Sequence, residues 1–71
     1  MFRYTLPDRR VVLVERLDDG WHLQLADEPQ AEIVGTPLQS ALAELLGYAV
    51  AHESWPGWLD DAAADIERSL W

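Results

Sequence analysis

The 71-residue sequence contains no cysteine. This absence excludes a disulfide framework and thiolate metal sites, and it fits the reducing cytoplasm. Long apolar runs are also missing: nothing approaches the ~20 apolar residues of a membrane span, and the N-terminal segment has no apolar run of signal-peptide length. We therefore expect one cytoplasmic domain over residues 1–71, with no membrane partner.

Positive charge is scarce. Five arginines and no lysine stand against 13 acidic residues, which gives a formal net charge of −8. Residues 1–26 carry four charges of each sign, whereas residues 27–71 carry nine acidic residues and Arg68. Such a chain repels phosphate backbones and attracts basic partners, so direct binding to nucleic acid is disfavoured. The alternative is that this charge has no role in binding and only keeps a small domain soluble.

Motifs of catalysis and cofactor binding are missing as well. The four glycines are isolated and form no phosphate-binding loop, and the three serines lack the context of a nucleophile. His22 and His52 are the two histidines, and neither lies in a metal-ligand spacing. We expect no catalytic residue, no metal site, no cofactor and no enzymatic activity.

What the sequence does contain begins with strand patterns. Alternating or continuous apolar residues, separated by turn residues, predict strands at residues 2–6, 11–17, 21–25 and 31–34. Asp18-Asp19-Gly20 is typical of a three-residue hairpin loop with Gly20 in the left-handed conformation. That loop pairs Leu17 with Trp21.

This register predicts which side chains lie under the helices. The helix-covered face would hold Val11, Leu13, Leu17, Trp21, Leu23 and Leu25. The opposite face would hold Val12, Val14, Arg16, His22 and Gln24. Its two valines are either covered or available to a partner.

The most strongly periodic segment predicts one long amphipathic helix from Thr36 to Ala51. Thr36 offers an N-cap oxygen, and Pro37 suits the first helical position. Seven apolar residues recur with the spacing of one helix face: Leu38, Ala41, Leu42, Leu45, Leu46, Ala49 and Val50. Another side has small-xxx-small spacing at Ala43, Gly47 and Ala51, which allows a close helix contact within one chain or between two copies.

A second, short helix is predicted from Trp58 to about Leu70, beyond Pro56. Its solvent face is acidic. The fold class is therefore α+β: a small antiparallel sheet of three to four strands, packed by one long amphipathic helix and followed by a short acidic helix, in the order ββββαα.

The second helix and its flanks form the best candidate for a binding surface. Carboxylates spaced along a helix resemble phosphates, and tryptophan is a common interface anchor. We predict partner contacts at Asp60, Asp61, Asp65, Glu67, Trp55 and Trp71. The alternative is a solvated acidic face with all four tryptophans closing a small core.

Three segments resemble the N-terminal domain of HicB-type antitoxins: Val11 to Leu23 with its Asp-Gly hairpin, Asp27-Glu28-Pro29, and Gly35 to Leu42. The resemblance covers roughly residues 10–46. It implies a non-enzymatic inhibitor that masks a small, basic, RNA-cleaving toxin. The sequence departs from the family at Gly35-Thr36-Pro37 and in having a short acidic helix where the family has a DNA-binding domain.

These observations give two expectations of function. The first is a small acidic inhibitor that blocks a basic nucleic-acid-binding protein or nuclease, in the manner of an antitoxin, an anti-CRISPR protein or a nucleic-acid mimic. The second is a homodimeric assembly protein, joined through the Val12 and Val14 face or through the seam of Ala43, Gly47 and Ala51.

Overall fold

The computed structural model describes residues 1–70. Four strands precede two α-helices, and a short 3-10 helix, His52–Ser54, lies between the helices. The bounds are β1 Phe2–Thr5, β2 Val11–Leu17, β3 Gly20–Leu25, β4 Glu32–Gly35, α1 Leu38–Leu45 and α2 Trp58–Leu70. The predicted α+β class and the order ββββαα are confirmed.

The strands form one antiparallel sheet in the order β1-β2-β3-β4. The predicted three-residue hairpin loop is wrong, because Leu17 pairs with Gly20 and leaves Asp18 and Asp19 as a two-residue connection. Gly20 also lacks the expected positive φ. Glycine is instead favoured at this position by a close backbone contact: a Cβ at Gly20 would lie 3.1 Å from the carbonyl oxygen of Gly35 on β4.

The shorter loop reverses the predicted faces of β2. Val12 and Val14 lie under the helices with no exposed surface, while Val11, Leu13 and Leu17 lie on the other face and are half-buried. The prediction for β3 is correct at Trp21 and Leu23, which are buried. A shift of one residue in the pairing moves a whole strand to its other face. The Val12 and Val14 face is therefore not available to a partner.

Helix α1 is half the predicted length. Pro37, rather than Thr36, is its N-cap, and the helix ends because Gly47 adopts a φ of +88°. The amide of Gly47 donates to the carbonyl of Glu44, and the amide of Tyr48 donates to that of Ala43, which is the Schellman arrangement. The two predicted helix-face residues after this stop, Ala49 and Val50, are exposed, Val50 to 96%.

The seam predicted from small residues is not formed. Ala43 lies within α1 and is buried, but Gly47 and Ala51 lie beyond its end and are exposed. Their spacing in sequence does not correspond to one helix face, since no helix spans them. This contradicts the second route predicted for dimerisation.

Helix α2 has the predicted bounds, Trp58–Leu70, and is longer than α1. Its buried residues pack in the same core as those of α1 and the sheet, and α1 contacts α2, β3 and β4. The fully buried large side chains are Leu23, Leu38, Leu42, Leu59, Ile66, Val12 and Val14. Neither helix within residues 1–70 has the length and apolar character needed to cross a membrane.

Candidate protein-binding surface

The four acidic residues predicted to bind a partner lie on two different sides of α2. With about 100° of rotation per residue, Asp60 and Glu67 differ by roughly 20° around the axis and Asp61 and Asp65 by roughly 40°. Asp60 and Asp61 are exposed, whereas Asp65 and Glu67 are half-buried. The predicted acidic surface is therefore two surfaces, one along Asp60 and Glu67 and the other along Asp61 and Asp65.

Asp65 is occupied by contacts within the chain. The hydroxyl group of Tyr4 donates a hydrogen bond to Asp65 Oδ2 at 3.0 Å, and Arg68 pairs with the other carboxylate oxygen. Burial, the hydrogen bond to Asp65 and the negative charges of Asp65 and Asp61 raise the pKa of Tyr4 above 10.0, although Arg68 opposes them. Asp65 thus joins α2 to β1, and its two oxygens already have partners.

Asp60 receives a partner from the segment between the helices. His52 Nε2 lies 2.8 Å from Asp60 Oδ2, and the ring of His52 lies against Trp55, with 4.8 Å between ring centroids. The indole N–H of Trp55 donates to the carbonyl of Ala49 at 2.7 Å. These contacts fix the connecting segment against the first turn of α2, so Trp55 has a structural role in addition to any contact with a partner.

Asp60 and Glu67 line an open groove of about 400 Å³ beside α2. The side chains around it are Gln39, His52, Asp60, Ala63, Ala64 and Glu67. Small alanine side chains of α2 keep the groove accessible between its two carboxylates. The groove is large enough to receive long side chains of another protein.

The sequence did not predict Gln39 and His52 in this groove. They come from α1 and from the 3-10 helix, and only the packing of these segments against α2 brings them there. The sequence did contain one signal for a groove: two small residues, Ala63 and Ala64, lie between two acidic residues that share a helix face.

The tryptophans have unequal exposure. Trp21 is buried, and Trp55 and Trp58 are half-buried against the core. Trp71, which was predicted to contact a partner, lies outside the described residues. Of the predicted aromatic anchors, Trp55 is therefore the one among the described residues.

The two histidines lie in separate places. His22 on β3 contacts Glu15 on β2 and Glu32 on β4, at 3.5 and 3.2 Å, whereas His52 contacts Asp60. Within residues 1–70, no group of three or more His, Asp or Glu side chains is arranged to hold a metal ion.

No family of proteins, no curated protein and no solved structure matches this chain. The resemblance to HicB-type antitoxins therefore remains a prediction from three short segments.

Proposed function

We propose that this protein is a small acidic inhibitor that binds a basic nucleic-acid-handling protein, without enzymatic activity of its own. The observation that carries the proposal is the groove in which Asp60 and Glu67 lie on one side of α2 with alanines between them. Arginine or lysine side chains of the partner would enter this groove, their apolar stems against the exposed Ala64 and their charges at the two carboxylates.

The spacing of the carboxylates supports mimicry of nucleic acid. Residues seven apart on a helix are separated by roughly 10.5 Å along its axis. Two such charges can occupy positions that phosphates take in a basic cleft, and the net charge of −8 would accelerate the encounter. Exposed Asp61 and Glu53 would add to the attraction without a fixed geometry.

The class of partner follows from this chemistry. A nuclease toxin or a component of a CRISPR system presents a basic surface to RNA or DNA, and covering that surface would block substrate. The protein would then act as an antitoxin or an anti-CRISPR protein, in the cytoplasm, where such targets work. No direct contact with nucleic acid is required.

The test uses charge reversal with a matched control. Tagged protein is used to capture partners from nuclease-treated lysate of its host, and the captured protein is purified and assayed for cleavage or binding of nucleic acid. The test variant is Asp60→Lys with Glu67→Lys. The control, Asp18→Lys with Asp19→Lys, makes the same charge change in the exposed β2–β3 connection.

We expect the unaltered protein and the control to inhibit the target, and the Asp60 and Glu67 variant to lose inhibition while keeping its circular dichroism spectrum. Equal inhibition by the two double variants would show that net charge, and not the groove, drives binding. Capture of no nucleic-acid-handling protein would contradict the proposal.

The alternative function is a homodimeric assembly protein. Neither of the two surfaces predicted to join its copies is available for dimerisation. Val12 and Val14 are fully buried, and the small-residue seam is not formed. A dimer of this chain requires a different surface.

A further inference from the structure

In the described part of the chain, residues 1–70, no helix or strand covers the face of the sheet opposite the helices. It includes half-buried Leu13 and Val11 of β2 and Val34 of β4, which is 64% exposed. Its charged and polar residues include Arg3 and Glu32 at its two edges. Its central strands also carry Glu15, His22 and Gln24, so apolar side chains are mixed with charged and polar ones, a composition found in non-obligate protein interfaces.

One row of residues crosses this face from edge to edge. Arg3 on β1 pairs with Leu13 on β2, Leu13 pairs with Gln24 on β3, and Gln24 pairs with Glu32 on β4. Arg3 and Glu32 are three strand spacings apart, roughly 14 Å, which is too far for an ion pair within one chain. Within residues 1–70, Arg3 has no ion-pair partner, whereas Glu32 contacts His22 of the same chain at 3.2 Å and keeps 58% of its side chain exposed.

We propose that the occupant of this face is a second copy of the same chain, related by a twofold axis that runs parallel to the strands between β2 and β3. Such an axis turns one face onto the other and exchanges the two edges of the sheet. The β1 strand of each copy then lies over the partner's β4. Arg3 of each copy meets the partner's Glu32, so the row forms two ion pairs.

A neighbouring row is complementary under the same operation. It contains Glu15 on β2, His22 on β3 and Val34 on β4. The axis places Glu15 over the partner's His22. It places Val34 over the end of the partner's β1, where Met1 is 60% exposed. The same rotation therefore pairs charge with charge in one row and covers two exposed apolar side chains in the next.

A twofold axis that crosses the strands at the level of this row gives the opposite result. Each strand would lie over the same strand of the partner. Arg3 would then face the partner's Arg3, and Glu32 the partner's Glu32. Like charges in direct contact oppose association. Of these two arrangements, the charge pattern favours the one with the axis parallel to the strands, in which the two sheets pack with their strand axes aligned.

The area of the face limits the affinity. Four strands at ~4.8 Å spacing and about five residues of ~3.3 Å give a projected area of roughly 320 Å² per copy. Stable interfaces bury about 800 Å² per partner. The face is smaller than a stable interface, so the dimer is weak and transient. Both acidic grooves remain accessible, since the helices lie on the other side of each sheet, so the inference does not rest on the proposed function.

The experiment is sedimentation velocity of the whole chain from about 10 μM to about 1 mM at about 0.15 M salt. Four variants are compared with the unaltered protein: Arg3→Glu, Glu32→Arg, both changes together, and the control Arg9→Glu. Arg9 is exposed in the β1–β2 turn, so its replacement makes the same charge change as Arg3→Glu away from the face. Circular dichroism verifies that each variant is folded.

We expect the unaltered protein and Arg9→Glu to dimerise equally. Each single change at the face should raise the dissociation constant about tenfold or more, because it places like charges in contact twice per dimer. The double change exchanges the two charges and should restore dimerisation. A monomer at every concentration, a dimer insensitive to the single changes, or a folded double variant that stays monomeric would each overturn the proposal.

Discussion

Tyr4 and Asp65 are 61 positions apart in sequence and are joined by a hydrogen bond of 3.0 Å from the Tyr4 hydroxyl group to Asp65 Oδ2. This bond connects the edge strand β1 to α2. It also divides the acidic residues of α2, because Asp65 serves the fold while Asp60 and Glu67 face the groove. One residue of the predicted binding surface is thereby given a structural role.

Replacement of Tyr4 by phenylalanine keeps the ring and removes this bond. We expect Tyr4→Phe to lower the free energy of unfolding by about 1–2 kcal/mol, the range for a partly exposed bond to a charged group. Urea denaturation followed by tryptophan fluorescence measures the loss. Asp61→Asn, on the same side of α2 but without a hydrogen bond to Tyr4, is the control and should change the stability by less than about 0.5 kcal/mol.

The same pair gives a pH dependence. Because burial and Asp65 raise the pKa of Tyr4 in the folded state, folding holds the phenol proton more tightly than the unfolded chain does. The associated stability is fully present below the unfolded pKa, near 10.0, and is lost as the pH rises through the folded pKa. Denaturation at increasing alkaline pH should show the advantage of the unaltered protein over Tyr4→Phe shrinking. A constant difference would contradict this account.

Asp8 provides the corresponding test in acid. Partial burial alone would raise its pKa, but hydrogen bonds from Arg10 and the charge of Arg10 outweigh that effect and hold the pKa of Asp8 below 3.8. The contribution is present above the unfolded pKa and is lost as the pH falls through the folded pKa. Asp8→Asn should therefore be less stable than the unaltered protein at neutral pH, and the two should converge in acid denaturation as the pH falls through the folded pKa of Asp8, which lies below 3.8.

Gly47 ends α1 with a φ of +88°, a conformation that costs other residues about 1–2 kcal/mol. Gly47→Ala should lower the thermal midpoint and the free energy of unfolding by that amount, although nothing lies within 4 Å of the added Cβ. Gly57→Ala is the matched control, since its Cβ also meets nothing within 4 Å and its φ is ordinary. Equal effects of the two substitutions would contradict a helix stop set by backbone conformation.

Leu42 and Val50 were predicted on one helix face and lie in opposite environments. Leu42 has no exposed surface, whereas Val50 is 96% exposed. Leu42→Ala should cost about 2–5 kcal/mol, because it leaves a cavity in the core, while Val50→Ala should change the stability by less than about 0.5 kcal/mol. Urea denaturation of both variants measures the contrast. A large loss of stability with Val50→Ala would contradict the exposed position of Val50 and support the longer predicted helix.

The candidate site was predictable in part. The acidic residues of α2 follow from the sequence, and helical rotation alone pairs Asp60 with Glu67 and Asp61 with Asp65. The contacts to Tyr4 and His52 were not predictable, because they join segments whose relative positions depend on packing. Glycine often ends a helix, so Gly47 could have predicted the end of α1. Its position in the small-residue pattern of Ala43, Gly47 and Ala51 instead favoured a longer helix.

The sequence by itself determined the order of elements and the bounds of α2, because periodic apolar residues, turn residues and Pro56 mark them locally. Tertiary structure decided which face of β2 is covered. The run from Val11 to Val14 is apolar on both faces, so its pattern has no preference, and the two-residue connection after Leu17 selects Val12 and Val14 for the core. A shift of one residue in the pairing with β3 thus determines which residues of β2 lie under the helices and which lie on the open face.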